Sequence, residues 1–239
     1  MNRPRAGARR AGPLALLALL VTGCRDGESA QTPTATTPTA RTNAISTVGT
    51  APEPAPEPLP DLVRVRLDTG AGPILLELDA KRAPITAANF VRYTETGRFD
   101  GASFYRAAPT KGANGKPIPG RGFIQGGIRR NARKTLTPIA HEPTSQTGLK
   151  HGPGTISMAR NAETGVGAMG EFFITLNAMP EMDARGDEGG FAVFGRVVEG
   201  MDTVRRILEA PTVPNAGRGA MRGQMIAEPV RIVRTRRVA

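Results

Sequence analysis

Between Leu62 and Leu78 the chain alternates apolar and polar residues twice. LVRVRLD (62–68) puts Val63, Val65 and Leu67 on one face and Arg64 and Arg66 on the other. PILLEL (73–78) places Ile74, Leu76 and Leu78 together. A period of two is that of a half-buried strand. Asp68-Thr69-Gly70-Ala71-Gly72 between the runs predicts a hairpin turn. The period then changes. PITAANFVRYTETG (84–97) opens with Pro84, which suits a first helical turn, and stops at Gly97. Ile85, Ala88 and Val91 recur at three-residue steps and predict the buried face. Short apolar runs punctuated by glycine follow: ASFYR (102–106), GFIQGG (122–127), GTISMA (154–159), EFFITL (171–176) and FAVFGRVV (191–198). Each predicts a strand. MDTVRRILEA (201–210) returns to helical spacing through Met201, Val204 and Leu208, with Asp202 in the first turn, where a negative charge is favourable. PVRIVRTRRV (229–238) closes the chain as a strand. Many short strands with two helices do not form parallel βαβ units. They predict a mainly β fold, an antiparallel sheet curled into a barrel, which removes open edges.

The pattern before this region is different. Residues 25–60 are dominated by threonine, alanine and proline, as in TPTATTPTA and APEPAPEPLP. Such a segment buries too little apolar surface to offset chain entropy. The reading is an extended linker over 24–60 and a folded domain over 61–239. At about 3.1 Å per residue, the linker reaches on the order of 100 Å. Further upstream, MNRPRAGARR carries four arginines and no acid, and an apolar run from Leu14 to Val21 follows. A basic start, a short apolar core and small residues make a secretory signal over 1–23. The run is short of the roughly 20 apolar residues that span a bilayer. Arg9-Arg10 is not followed by the residues of a twin-arginine signal. Val21-Thr22-Gly23-Cys24 resembles the lipobox of bacterial lipoproteins, in which the cysteine is acylated. Cys24 is the single cysteine of the chain. The resemblance implies an exported, periplasmic protein held on a membrane by lipid on Cys24. Arg25 is not the aspartate of an inner-membrane retention signal, which leans toward the outer membrane.

Charge changes this picture little. The net charge is +11, and four of those charges are the arginines of residues 1–23, which leaves +7. Basic residues gather at Arg129, Arg130, Arg133 and Lys134, and at Arg231, Arg234, Arg236 and Arg237. With two tyrosines and no tryptophan there is little to stack on bases. These clusters are read as solvated faces near anionic lipid, and no nucleic acid is expected. Two histidines, His141 and His151, and one cysteine give no zinc spacing, so no metal or other cofactor is expected. His141-Glu142 never reaches a second histidine at helical spacing, and both histidines are read as surface or loop residues. Gly165, Gly167 and Gly170 match a dinucleotide-binding pattern, but a strand follows where a helix is required. No nucleophile stands beside a base. What remains is Arg106 and Gln125 among phenylalanines. Phe104, Phe123, Phe172, Phe173, Phe191 and Phe194 all fall on predicted strands, mostly as core, with some free to line a groove.

TAANF in the first helix, SFYRAAP, GFIQGG, GTISMAR, EFFITL and FAVFGRVVEGMD resemble the cyclophilins, in that family's order, across roughly residues 62–239. The resemblance implies an eight-stranded antiparallel barrel capped by two α-helices. It also implies peptidyl-prolyl cis-trans isomerase activity on Xaa-Pro segments, and the export signal makes unfolded or exported proteins the expected clients. Carried over by position, Arg106 is the catalytic arginine and Gln125 the glutamine that orients it and contacts substrate. Phe123, Phe173, Met182 and Phe191 form the proline pocket. Ala159 and Arg160 offer backbone groups to an extended peptide. A monomer is expected. A non-catalytic module that grips proline-containing partners is the alternative.

Three departures from the family stand out. Glu171 replaces a second glutamine, and its position predicts a tether to Arg106 or a preference for basic residues beside the proline. Glu181 stands where some members have tryptophan. Arg106 and Gln125 are nineteen positions apart, farther than in most members, with TKGANGKPIPG (110–120) between them. That segment is read as an exposed loop inserted beside the groove.

Overall fold

The first alternating pair forms the predicted hairpin in the computed structural model. β1 (Leu62–Thr69) pairs antiparallel with β2 (Gly72–Asp79), from Leu62↔Asp79 to Thr69↔Gly72. Val63, Val65, Leu67, Ile74, Leu76 and Leu78 are all buried. The turn is tied by Thr69, whose Oγ1 accepts from the Ala71 N–H at 3.1 Å and donates to the Gly72 carbonyl at 2.6 Å.

The structure describes residues 59–129, 131–160, 169–186 and 188–239. The signal segment 1–23, Cys24 and the linker up to residue 58 lie outside the described residues, as do Gly165 and Gly167. Within them follow α1 (Pro84–Glu95), β3 (Ser103–Lys111), β4 (Pro117–Gly127), α2 (Thr144–Thr147), β5 (Thr155–Met158) and β6 (Glu171–Thr175). The chain ends with β7 (Ala192–Glu199), α3 (Met201–Leu208), β8 (Thr212–Val213) and β9 (Met225–Val238). The strand order is β1-β2-β7-β5-β6-β4-β3-β9, and β9 pairs back onto β1 from Arg64↔Val238 to Thr69↔Ile232. Every pairing is antiparallel. Eight strands therefore close a barrel, and the two-residue β8 extends β9 outside that ring. The one-turn α2 has no counterpart in the predicted pair of helices.

The barrel is filled by rings. Phe90 of α1 meets Phe172 at 5.3 Å and 82°, and Phe194 at 5.3 Å. Phe104 meets Phe172 at 5.6 Å and 84°. Edge-to-face contacts of this kind add to the area that the rings bury. The buried face of α1 is Thr86, Ala87, Asn89, Phe90, Val91, Tyr93 and Thr94. The predicted stripe is thus corrected: Ala88 is exposed and Ile85 keeps 43 % of its surface. Each three-residue step falls about 60° short of a full turn, so such a stripe winds off the face that 3.6-residue periodicity holds together. The α1 N-terminus rests on Glu142, which is only 2 % exposed. Its carboxylate accepts from the N–H groups of Ile85 at 3.1 Å and Thr86 at 2.7 Å, and from the Thr86 hydroxyl at 2.6 Å. A buried acid at this end satisfies orphan donors and matches the helix dipole.

The interruption at 110–120 also differs from its reading as a loop. β3 and β4 simply continue outward as a hairpin, with Lys111 opposite Pro117. The tip is closed by Gly112 N–H on the Lys116 carbonyl at 2.9 Å. Gly122 explains how the two strands stay in contact past a register shift. It has φ +136° and lies so close to the backbone of Ala108 that a Cβ would collide with that carbonyl.

Candidate active site

β3, β4 and β6 lie side by side and present one wall of a groove. Arg106 is opposite Gln125, and Gln125 is opposite Phe173. The register of β3 shifts between Phe104 and Arg106. This bulge breaks the inward–outward alternation, so Phe104 fills the core while Tyr105 and Arg106 serve the groove wall. Beyond Gln125, Gly127 has φ +141° against the Gly170 carbonyl, which brings β6 close to β4.

The half-buried guanidinium of Arg106 is fixed in place. Its Nη1 donates to Gln125 Oε1 at 2.8 Å. Its Nε donates to Gln224 Oε1 at 2.8 Å, and its Nη2 is directed at the Ala220 carbonyl at 3.5 Å. Its Cζ lies 4.9 Å from the centroid of the Phe123 ring. Burial lowers its pKa, yet a guanidinium stays a cation at neutral pH.

Gln125 uses its other end as well. Its Nε2 donates to the Tyr105 hydroxyl at 2.9 Å, and that hydroxyl donates to Glu171 Oε2 at 2.6 Å. Burial first, and the Glu171 charge second, push the Tyr105 pKa up, so the hydroxyl stays a donor. The link expected between Glu171 and Arg106 thus runs through Tyr105 and Gln125. Arg129 covers this chain, its Cζ 5.4 Å from the Tyr105 centroid.

Beside Arg106 lies an apolar floor. Phe173, 3 % exposed, is its centre. Phe123 approaches at 5.5 Å and 58°, and Phe191 at 5.3 Å and 85°. Met182 is half-buried at the end of a single turn, Pro180–Met182, and its carbonyl accepts from Phe191 N–H at 3.0 Å. Arg160 brings Cζ to 5.7 Å from the Phe191 centroid. The predicted phenylalanines have therefore separated: Phe104, Phe172 and Phe194 fill the barrel, while Phe123, Phe173 and Phe191 form the floor. Ala159 is partly corrected. Its N–H already donates to the Glu171 carbonyl at 2.9 Å, which takes that group away from an added strand. Glu181 is exposed beside Met182.

Besides Tyr105 and Asp183, two further residues of the site are absent from the sequence pattern. His151 lies outside regular secondary structure, as expected, but is buried rather than on the surface. Its ring stacks on Phe173 at 5.8 Å and 5°. Nδ1 lies 2.7 Å from Asp183 Oδ1, and Nε2 lies 3.1 Å from Ser157 Oγ. Burial draws its pKa below 6.5, and Asp183 opposes that shift in part. Gln224 is the other. Asp183 is 32 residues from His151 and Gln224 is 118 from Arg106, so no local pattern announces either pairing.

The comparisons agree with this architecture. A model of the family described as cyclophilin type peptidyl-prolyl cis-trans isomerase/CLD matches residues 63–237. Peptidyl-prolyl cis-trans isomerase A of Dickeya dadantii is 36 % identical over 148 residues, covering 62 % of this chain and 72 % of the relative. Peptidyl-prolyl cis-trans isomerase B of Escherichia coli is 32 % identical over 169 residues, covering 70 % and 94 %. A cyclophilin type isomerase of Cryptosporidium parvum, crystallised in the presence of the dipeptide Ala-Pro, aligns with a TM-score of 0.55. It is 20 % identical, and the alignment covers 72 % of this chain and 96 % of that one. The chain belongs to the cyclophilin-type family. It is a peptidyl-prolyl cis-trans isomerase, an enzyme that turns the bond before proline.

Proposed function

We propose that Arg106 is the catalytic residue and that the floor of Phe123, Phe173, Met182 and Phe191 receives the proline ring. A peptide bond resists rotation by about 18–20 kcal/mol because nitrogen shares its lone pair with the carbonyl. Before proline, uncatalysed turnover still takes tens of seconds or more. Midway through rotation the lone pair returns to nitrogen, which becomes an acceptor. An N–H of Arg106 donates to it more strongly than to the planar bond. Stronger binding of the twisted form is what lowers the barrier. A ten-thousandfold gain needs about 5.5 kcal/mol, within reach of one charge-assisted contact plus positioning. No covalent intermediate or proton transfer enters this scheme.

The observation that carries this reading is the Arg106 guanidinium, fixed by Gln125 at 2.8 Å and standing 4.9 Å over Phe123 at the edge of the floor. In this proposal Arg160 and the Ala159 carbonyl hold the peptide backbone, and Gln125 contacts it. A protease-coupled isomerisation assay on an Ala-Pro peptide tests it. Arg106→Ala is expected to lose roughly a hundredfold in kcat/KM, as when one transition-state donor is removed. Equal rates for the two proteins would overturn the assignment.

The site's clients are, in this proposal, prolyl segments of exported proteins, met in the periplasm by a monomer tethered through lipid on Cys24. The support is the sequence: a basic, apolar, small-residue start ending at Cys24, then a long Pro-rich linker. Intact-mass measurement of the mature protein tests it. A chain beginning at Cys24 with acyl mass is expected, and an unmodified thiol would remove the anchor.

A further inference from the structure

Arg106 is gripped from two sides, and the second grip comes from the segment between β8 and β9. That segment is folded on itself. Ala216 N–H donates to the Val213 carbonyl at 3.1 Å, Gly223 N–H to Ala216 at 2.8 Å, and Gln224 N–H to Met221 at 3.0 Å. The Gln224 carbonyl accepts from the N–H of Ala107, the residue after Arg106, at 2.9 Å. The backbone of Gln224 is therefore docked on β3 independently of its side chain. Its Oε1 then meets Arg106 Nε at 2.8 Å.

A guanidinium carries five N–H donors in one plane. Here Nε–H is taken by Gln224, one Nη1–H by Gln125, and one Nη2–H is turned to the Ala220 carbonyl. One N–H on each terminal nitrogen is left without an acceptor among the described residues. A contact at Nη1 alone leaves a long side chain free to swing about that point, and holding it still costs rotamer entropy at each turnover. A second contact at Nε fixes the plane. Both acceptors are neutral amides, so the grip leaves the cation's full charge for the substrate nitrogen.

We infer that Gln224 is a positioning residue for the isomerisation: it sets the plane of the Arg106 guanidinium and thereby aims the two remaining N–H groups into the groove. The inference rests on Arg106 being the catalytic residue. Gln224→Met keeps side-chain length and the backbone bond to Ala107 but removes the acceptor. With an Ala-Pro peptide, kcat is expected to fall about tenfold, as for one charge-assisted hydrogen bond, with KM little changed. Gln224→Ala is the second variant, should methionine disturb the loop. The double-mutant cycle with Arg106→Ala separates positioning from general structure. In that background Gln224→Met is expected to change the rate less than about twofold, because the group it positions is gone. Wild-type kinetics for both single variants, or the same tenfold loss without Arg106, would overturn the inference. A wild-type rate for Arg106→Ala alone would instead remove the assignment of Arg106 on which Gln224 depends.

Discussion

Arg106 and Gln125 are nineteen positions apart in the chain and directly opposite each other on β3 and β4, with Nη1 and Oε1 separated by 2.8 Å. Gln125 also donates to Tyr105, so its amide orientation is determined from both ends. Gln125→Ala removes both bonds at once. Turnover is expected to fall about tenfold or more, chiefly in kcat, while the barrel persists, because the site is on the groove wall rather than in the core. Circular dichroism and steady-state kinetics on one preparation check this. Unchanged kcat would show that Gln125 does not orient the arginine.

Tyr105→Phe isolates the next link. The ring stays, but Gln125 Nε2 loses its acceptor and Glu171 loses a donor. Leaving the partly buried Gln125 amide with an unsatisfied N–H costs about 1–3 kcal/mol. Chemical denaturation should show a loss of that size, with a smaller drop in kcat than Gln125→Ala because the Arg106–Gln125 bond survives. A larger drop than Gln125→Ala would mean that the hydroxyl itself reaches substrate.

Much of this was legible beforehand, for identifiable reasons. The alternation in LVRVRLD and PILLEL dictated β1 and β2 because one face of each is buried and the other is wet. The order of the motifs carried the barrel and brought Arg106, Gln125 and Phe173 into one site. The α1 stripe departs from the sequence pattern because Ile85 and Ala88 are apolar yet exposed, while Thr86 and Asn89 are polar yet buried. Composition misplaces such residues when a distant partner, here Glu142 for Thr86 and the Met169 carbonyl for Asn89, satisfies them. His151 and Gln224 were invisible for the same reason. Each gains its role from a partner that only the closed barrel brings near.

The hairpin extension gives a prediction of a different kind. Its tip residues are exposed, and Gly115 has nothing within 4 Å of where a Cβ would stand. Deleting 110–120 and joining Pro109 to Arg121 through a two-residue turn keeps the Pro109↔Gly122 pairing and everything nearer the site. Thermal stability should change little, since the tip of the extension is exposed and the pairings from Pro109↔Gly122 inward are kept. The relative kcat/KM among peptides with different residues flanking the proline should shift, while Arg106 dependence stays. Loss of folding would show that the extension supports the barrel.

His151 links the floor of the site to pH. The ring is held beneath Phe173, and burial lowers its pKa, with Asp183 offsetting part of that shift. The folded state therefore favours the neutral ring, and the unfolded chain binds a proton more readily, at about pH 6.5. Stability from this group is fully present above about 6.5 and is lost as pH falls through the lower folded value. The carboxylates of Asp68 and Glu77, whose pKa values are lowered chiefly by arginine hydrogen bonds, hold their contribution until more acidic conditions. Denaturant unfolding from pH 8 to 5 should thus show a decline that His151→Gln flattens, although the variant is less stable at pH 8 through its lost stacking. KM should stay level through this decline, because the folded ring beneath the floor proposed to receive the proline remains neutral until pH falls below its lowered value. An equal pH slope in the variant would assign the decline to other groups.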